Sequence, residues 1–128
     1  MPKLDKNNPQ LTKELTKYTH DSYITRIEYN VEDGILKIEM DYAYERRVKT
    51  KVTFIGIDVF LSVAGDWGGN PKEVNILLLE DDLSFLEKYL PNHLSGLEDS
   101  FYIVIEVFSG GLMHIVAREV IIELDDEQ

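Results

Sequence analysis

The sequence predicts an α+β protein dominated by a curved antiparallel sheet, or an open barrel-like sheet, with one clear helix and a short N-terminal one. Three observations carry this. Apolar and polar residues alternate with period two on both sides of Asp33-Gly34, and again on both sides of Gly110-Gly111. Only the run from Leu83 to Leu97 keeps a helical spacing over several turns. Antiparallel hairpins at both ends, with a single well-marked helix between them, exclude a βαβ arrangement.

The first ten residues, with Asn7-Asn8-Pro9, lack periodicity and read as a lead-in. Leu11, Leu15 and Tyr18 then allow about two helical turns, without a capping box to mark the start. Residues 1–19 are therefore assigned to a lead-in and short helix, and residues 20–128 to one antiparallel-sheet domain. After His20-Asp21 the period becomes two. Residues 22–31 and 35–44 form the first predicted hairpin, with Glu32-Asp33-Gly34 as its turn. A third alternating run covers Val48, Thr50, Val52 and Phe54, and Gly56 interrupts it. Ile57, Val59, Leu61 and Val63 follow as another strand or as the far side of a bulge at that glycine.

Three glycines and a proline between Gly65 and Pro71 mark a loop, and Val74-Asn75-Ile76-Leu77-Leu78-Leu79 suits a strand buried on both faces. From Asp82 the leucines at 83, 86, 90, 94 and 97 step by three and four. A helix near 82–90 is expected, capped by Asp81 or Asp82 and ended or kinked by Pro91. The last hairpin pairs residues 101–108 with 112–124 across Ser109-Gly110-Gly111, where glycine reaches positive φ at little steric cost.

Composition bounds the function. At 128 residues the chain has the size of one domain and buries roughly two-thirds of its unfolded surface on folding. Thirteen Lys and Arg against 24 Asp and Glu give a formal charge of −11, which argues against a duplex-DNA footprint built on phosphate neutralisation. The absence of cysteine excludes disulfides, thiolate metal sites and a Cys nucleophile, and fits a reducing compartment. No apolar h-region follows Met1-Pro2-Lys3-Leu4-Asp5, and no run approaches the ~18 apolar residues of a membrane span. The expectation is a cytoplasmic protein with neither membrane nor nucleic acid as a partner. The charge is uneven. Residues 1–51 hold ten Lys and Arg and nine Asp and Glu, whereas residues 52–128 hold three bases and fifteen carboxylates. Acids gather at Glu80-Asp81-Asp82, at Glu98-Asp99 and at Glu123, Asp125, Asp126 and Glu127; the basic cluster is Arg46-Arg47-Lys49-Lys51.

No catalytic residue is assigned. His20, His93 and His114 are too scattered to chelate a metal, and adjacent His20-Asp21 point apart on a strand or a helix. Gly68-Gly69 lacks the Gly-Lys-Ser/Thr ending of a phosphate loop, and no serine sits in a nucleophile elbow. No cofactor and no metal are expected. Trp67, the sole tryptophan, sits among loop residues unable to pack it locally, so it folds back as a lid on the core or serves as an anchor for a partner.

The strings His20-Asp21-Ser22-Tyr23-Ile24, Val52-Thr53-Phe54-Ile55-Gly56-Ile57 and Ile105-Glu106-Val107-Phe108-Ser109-Gly110-Gly111 together resemble small, mostly-β bacterial proteins, some grouped with the immunity proteins of polymorphic toxin systems. The resemblance spans roughly residues 20–124 and implies a cytoplasmic domain without catalytic residues. Two function classes follow. In the first, a non-catalytic acidic domain masks a basic protein such as a toxin domain, with Trp67, Glu80, Asp81, Asp82, Glu98 and Asp99 at the interface. In the second, a pocket in the curved sheet serves a small molecule or an enzyme reaction, lined by Tyr42, Tyr44 and His114.

Overall fold

The computed structural model describes residues 22–42, 47–63, 74–79, 84–89, 100–107 and 111–127, together with Gln10, Lys13 and Thr19. Six strands, β1 (Ser22–Asn30), β2 (Ile35–Tyr42), β3 (Arg47–Val63), β4 (Val74–Leu79), β5 (Phe101–Val107) and β6 (Leu112–Glu127), form one sheet in the order β1-β2-β3-β6-β5-β4. Every pairing is antiparallel. Among the described residues helix is limited to α1 (Ser84–Tyr89), which falls within the expected 82–90, and to Gln10, Lys13 and Thr19, which have helical backbone. Residues 11–12 and 14–18 of the expected N-terminal helix, and residues 82–83 and 90 of the expected second helix, lie outside the described residues. So does the Gly110 of the second turn. Among the described residues no helix is long and apolar enough to cross a membrane.

Both predicted hairpins form, Ile27 facing Ile38 in the first and Ile103 facing Ile115 in the second. The turn of the first hairpin is built by short-range chemistry. The Asn30 side-chain amide donates to the Asp33 carboxylate at 2.9 Å, and the Asp33 backbone N–H donates back to Asn30 Oδ1 at 3.2 Å. Gly34 then adopts φ 64°, a left-handed conformation that costs a residue with a Cβ roughly 1–2 kcal/mol. The last strand runs to Glu127, beyond the Leu124 expected from alternation, because β3 offers it partners along its whole length.

β3 and β6 are the spine. Seventeen residues of straight strand would reach about 55 Å, well over the diameter of a domain this size, so the pair must bend. Gly56 is where it does. It takes φ 70°, and its N–H and that of Ile57 both donate to the Gly34 carbonyl, at 3.0 and 3.1 Å. Alternation breaks in both strands at this point. Phe54 and Ile57 pack on the same core across Ile55-Gly56, and Ala117 and Val120 do so across Arg118-Glu119. A register shift between Ile57 and Val59 follows at once. The interruption read at Gly56 is thus a bend within one long strand, not a break between two. It also divides the sheet: β2 flanks β3 only up to Ile55, and β5 flanks β6 only up to Ala117.

The bend wraps the sheet around one main core. Leu36, Ile38, Met40, Val52, Phe54, Ile103, Ile105, Met113, Ile115, Val120 and Ile122 are buried together, each gaining about 1.5–3 kcal/mol from leaving water. Residues of the opposite parity form a second cluster, Leu86, Tyr102 and Val116 with Val59, Phe85 and Val104, in which α1 covers the other face of β5 and β6. Burial of Leu86 holds α1 against these strands. β1 and β4, the two ends of the strand order, come within 8 Å of each other at their closest but do not pair, so the sheet is not closed.

Candidate functional site

The six residues assigned to partner binding from sequence, Trp67, Glu80, Asp81, Asp82, Glu98 and Asp99, lie outside the described residues, as do His20, Tyr44 and His93. Tyr42 ends β2. The described surface shows where the chain's other charges go and which apolar residues remain in water.

The acidic C-terminal strand meets the basic cluster. In the β3–β6 register Lys51 opposes Glu123, Lys49 opposes Asp125 and Arg47 opposes Glu127. β2 continues the rows on the other side: Glu39 opposes Lys51, and Asp41 opposes Lys49. β1 extends them with Arg26 opposite Glu39 and Glu28 opposite Lys37. Acid and base therefore alternate across four strands, at register positions of the parity opposite to the main core. Cross-strand opposite charges contribute about 0.2–1 kcal/mol per pair and penalise every other register. These rows hold five bases and six carboxylates, a net −1. The rest of the chain keeps eight bases and eighteen carboxylates, a net −10. The two clusters noted separately along the sequence are thus brought to the same register positions of β3 and β6.

His114, considered as a pocket liner, is instead part of the core under α1. It is 5% exposed; its Nδ1 and the Tyr102 hydroxyl share a 2.6 Å hydrogen bond whose direction follows the imidazole tautomer. The Phe85 ring lies on the imidazole at 3.9 Å and 7°, and the Tyr102 ring is 5.8 Å away. The bond compensates the burial of Nδ1 and of the hydroxyl, while Nε2 of the same imidazole is buried without a hydrogen-bond partner among the described residues. A half-open cavity of about 110 Å³ lies on the outer side of the first hairpin, lined by Glu28, Asn30, Asp33, Ile35 and Lys37. Among the described residues no three His, Asp or Glu side chains gather as metal ligands.

Sequence reasoning missed the exposed apolar edge. Tyr23, Ile27, Tyr29 and Val31 are 41%, 42%, 38% and 75% exposed, and all belong to β1 or the turn that follows it. Ile27 pairs with buried Ile38, and Tyr29 with buried Leu36, so both belong to the core-facing side, yet they remain in water at the end of the strand order. Tyr29 leans on Phe60 with ring centroids 5.3 Å apart, edge to face. Alternation identifies these as core positions but is silent on which strand lies at the edge.

Comparison with protein-family models, curated proteins and solved structures gave no match.

Proposed function

We propose that this chain is a non-catalytic acidic binding domain that masks a basic protein partner such as a toxin domain, as its resemblance to immunity proteins implies. One observation carries the reading: the charges set opposite one another by the cross-strand register sum to −1, so −10 of the formal charge falls on the rest of the chain, which includes Glu80, Asp81, Asp82, Glu98 and Asp99. A surplus of one sign steers an oppositely charged partner and shortens the search for the docked orientation. The barrel-like sheet serves as a rigid scaffold, and Trp67 supplies the desolvated anchor. The use of His114 within the core, bonded to Tyr102 and stacked on Phe85, weighs against an enzyme pocket built on that residue.

The test is capture of a basic protein from the native host with the full chain as bait, followed by kinetics of the purified pair. Replacing Glu80, Asp81 and Asp82 by Lys should lower the association rate roughly tenfold at low salt, with little change in dissociation. Trp67→Ala should shorten the residence time instead. Recovery of no basic partner, or affinity indifferent to both sets of substitutions, would leave the acidity as a means of staying soluble.

A further inference from the structure

We infer that the free edge of β1 is a self-association surface, on which a second copy of this chain pairs antiparallel about a two-fold axis through Ile27. The inference uses Arg26, Ile27 and Glu28 and none of the residues of the proposed partner site, so the two readings are tested by different substitutions.

The argument begins with the edge. Among the described residues β1 is terminal in the strand order and β4, which approaches it, does not pair with it; an edge strand presents unpaired N–H and C=O groups that template another strand. Proteins usually defend such an edge with charge or a bulge. Here the bulge sits at Thr25, between Ile24 and Arg26, where the Thr25 hydroxyl donates to the Glu39 carbonyl at 3.2 Å. That leaves Arg26 to Asn30 regular, and within it the apolar Ile27 and Tyr29 are 42% and 38% exposed. Closing a strand over them removes apolar area from water on the core-facing side, where the sheet is open.

Charge then selects the occupant and the register. A two-fold axis normal to the sheet maps each face onto itself, so only registers centred on a residue keep side chains on matching faces. Centring on Arg26 sets Arg26 against its own copy, and centring on Glu28 sets two carboxylates together. Centring on Ile27 opposes Arg26 to the second copy's carboxylate at position 28 and Glu28 to the second copy's guanidinium at position 26, with Ile27 against Ile27. Within one chain Arg26 and Glu28 already sit 3.2 Å apart and are both exposed, so the dimer joins two ion pairs into a four-charge cluster without stranding a charge. The segment Arg26-Ile27-Glu28 is thus complementary to itself in one register and self-repelling in its two nearest alternatives, which is how an edge is made specific for its own copy.

The experiment is sedimentation velocity of the full chain at physiological ionic strength, where the ~8 Å Debye length screens the −11 of each copy but not the opposed pairs. A monomer–dimer equilibrium is expected, with Kd on the order of 10 μM. Arg26→Glu should weaken it at least tenfold by opposing four carboxylates, and adding Glu28→Arg to that variant should restore it. Ile27→Lys, at an exposed position that leaves the fold intact by circular dichroism, should abolish dimers. A chain that stays monomeric to several hundred micromolar overturns the inference, and so does a dimer indifferent to Ile27→Lys or one that the double exchange fails to rescue.

Discussion

A methyl group on Gly56 would lie 3.1 Å from Cβ, Cγ and Cδ of Arg118, and the residue would keep φ 70°. Gly34 has a similar φ of 64°, but the nearest atom to an added Cβ there is the Ile57 nitrogen at 3.6 Å, an ordinary contact. The two glycines therefore separate backbone strain from crowding. Gly34→Ala should cost about 1–2 kcal/mol from φ alone. Gly56→Ala should cost about 1 kcal/mol more, and Arg118→Ala should recover part of that excess because it deletes two of the three crowding carbons. Urea melts of the four variants check this; equal losses for the two glycines would mean that Arg118 simply swings aside. The buried Tyr102–His114 pair offers a second residue-scale test. His114→Phe keeps a ring under Phe85 but removes the 2.6 Å bond to the Tyr102 hydroxyl and should cost about 1–3 kcal/mol. Adding Tyr102→Phe removes the hydroxyl that lost this bond, so the double variant should be more stable than His114→Phe alone. If it is less stable, the hydroxyl has found another partner.

At the scale of elements, the rows of charge across β1, β2, β3 and β6 make a claim about register. Lys51→Glu would set three carboxylates abreast, the introduced one between Glu39 and Glu123, at three half-buried positions. The loss should be about 1 kcal/mol at low salt and should shrink as salt is added, since partly exposed charges are screened. A loss independent of salt would trace to the aliphatic stem of Lys51 and not its charge. How much of this is legible in the sequence depends on the range of the contact. The hairpins β1–β2 and β5–β6 can be read because a local turn fixes their register: Asn30, Asp33 and Gly34 close one with bonds inside four residues. The β3–β6 pairing cannot, because no local signal says that Lys51 will meet Glu123 rather than any other carboxylate. Leucine spacing places α1, because the step of three and four that brings Leu86 onto β5 and β6 is itself local. The apolar edge escapes notice because Ile27 and Tyr29 follow the alternation of buried residues, and edge position is a property of strand order alone.

For the whole molecule, the topology fixes the order of costs in folding. β1–β2 and β5–β6 are joined by connections of about four residues, so each can form locally within microseconds. β3 and β6 are neighbours although Val63 and Leu112, the pair at their near end, are about 50 residues apart. Closing that loop costs on the order of 3–4 kcal/mol before the long ladder returns anything, and no cooperative core exists until it closes. The β3–β6 pairing around Phe54 and Val120 should therefore be largely formed in the transition state, whereas the edge strand β1 docks afterwards. Phe54→Leu should act mainly by slowing refolding, and Ile24→Val mainly by speeding unfolding, each with an equilibrium loss of about 1 kcal/mol, enough to measure. Stopped-flow chevrons decide the matter. Should Ile24→Val slow refolding as much, per unit of stability lost, as Phe54→Leu does, the first hairpin is the nucleus and the spine forms on top of it.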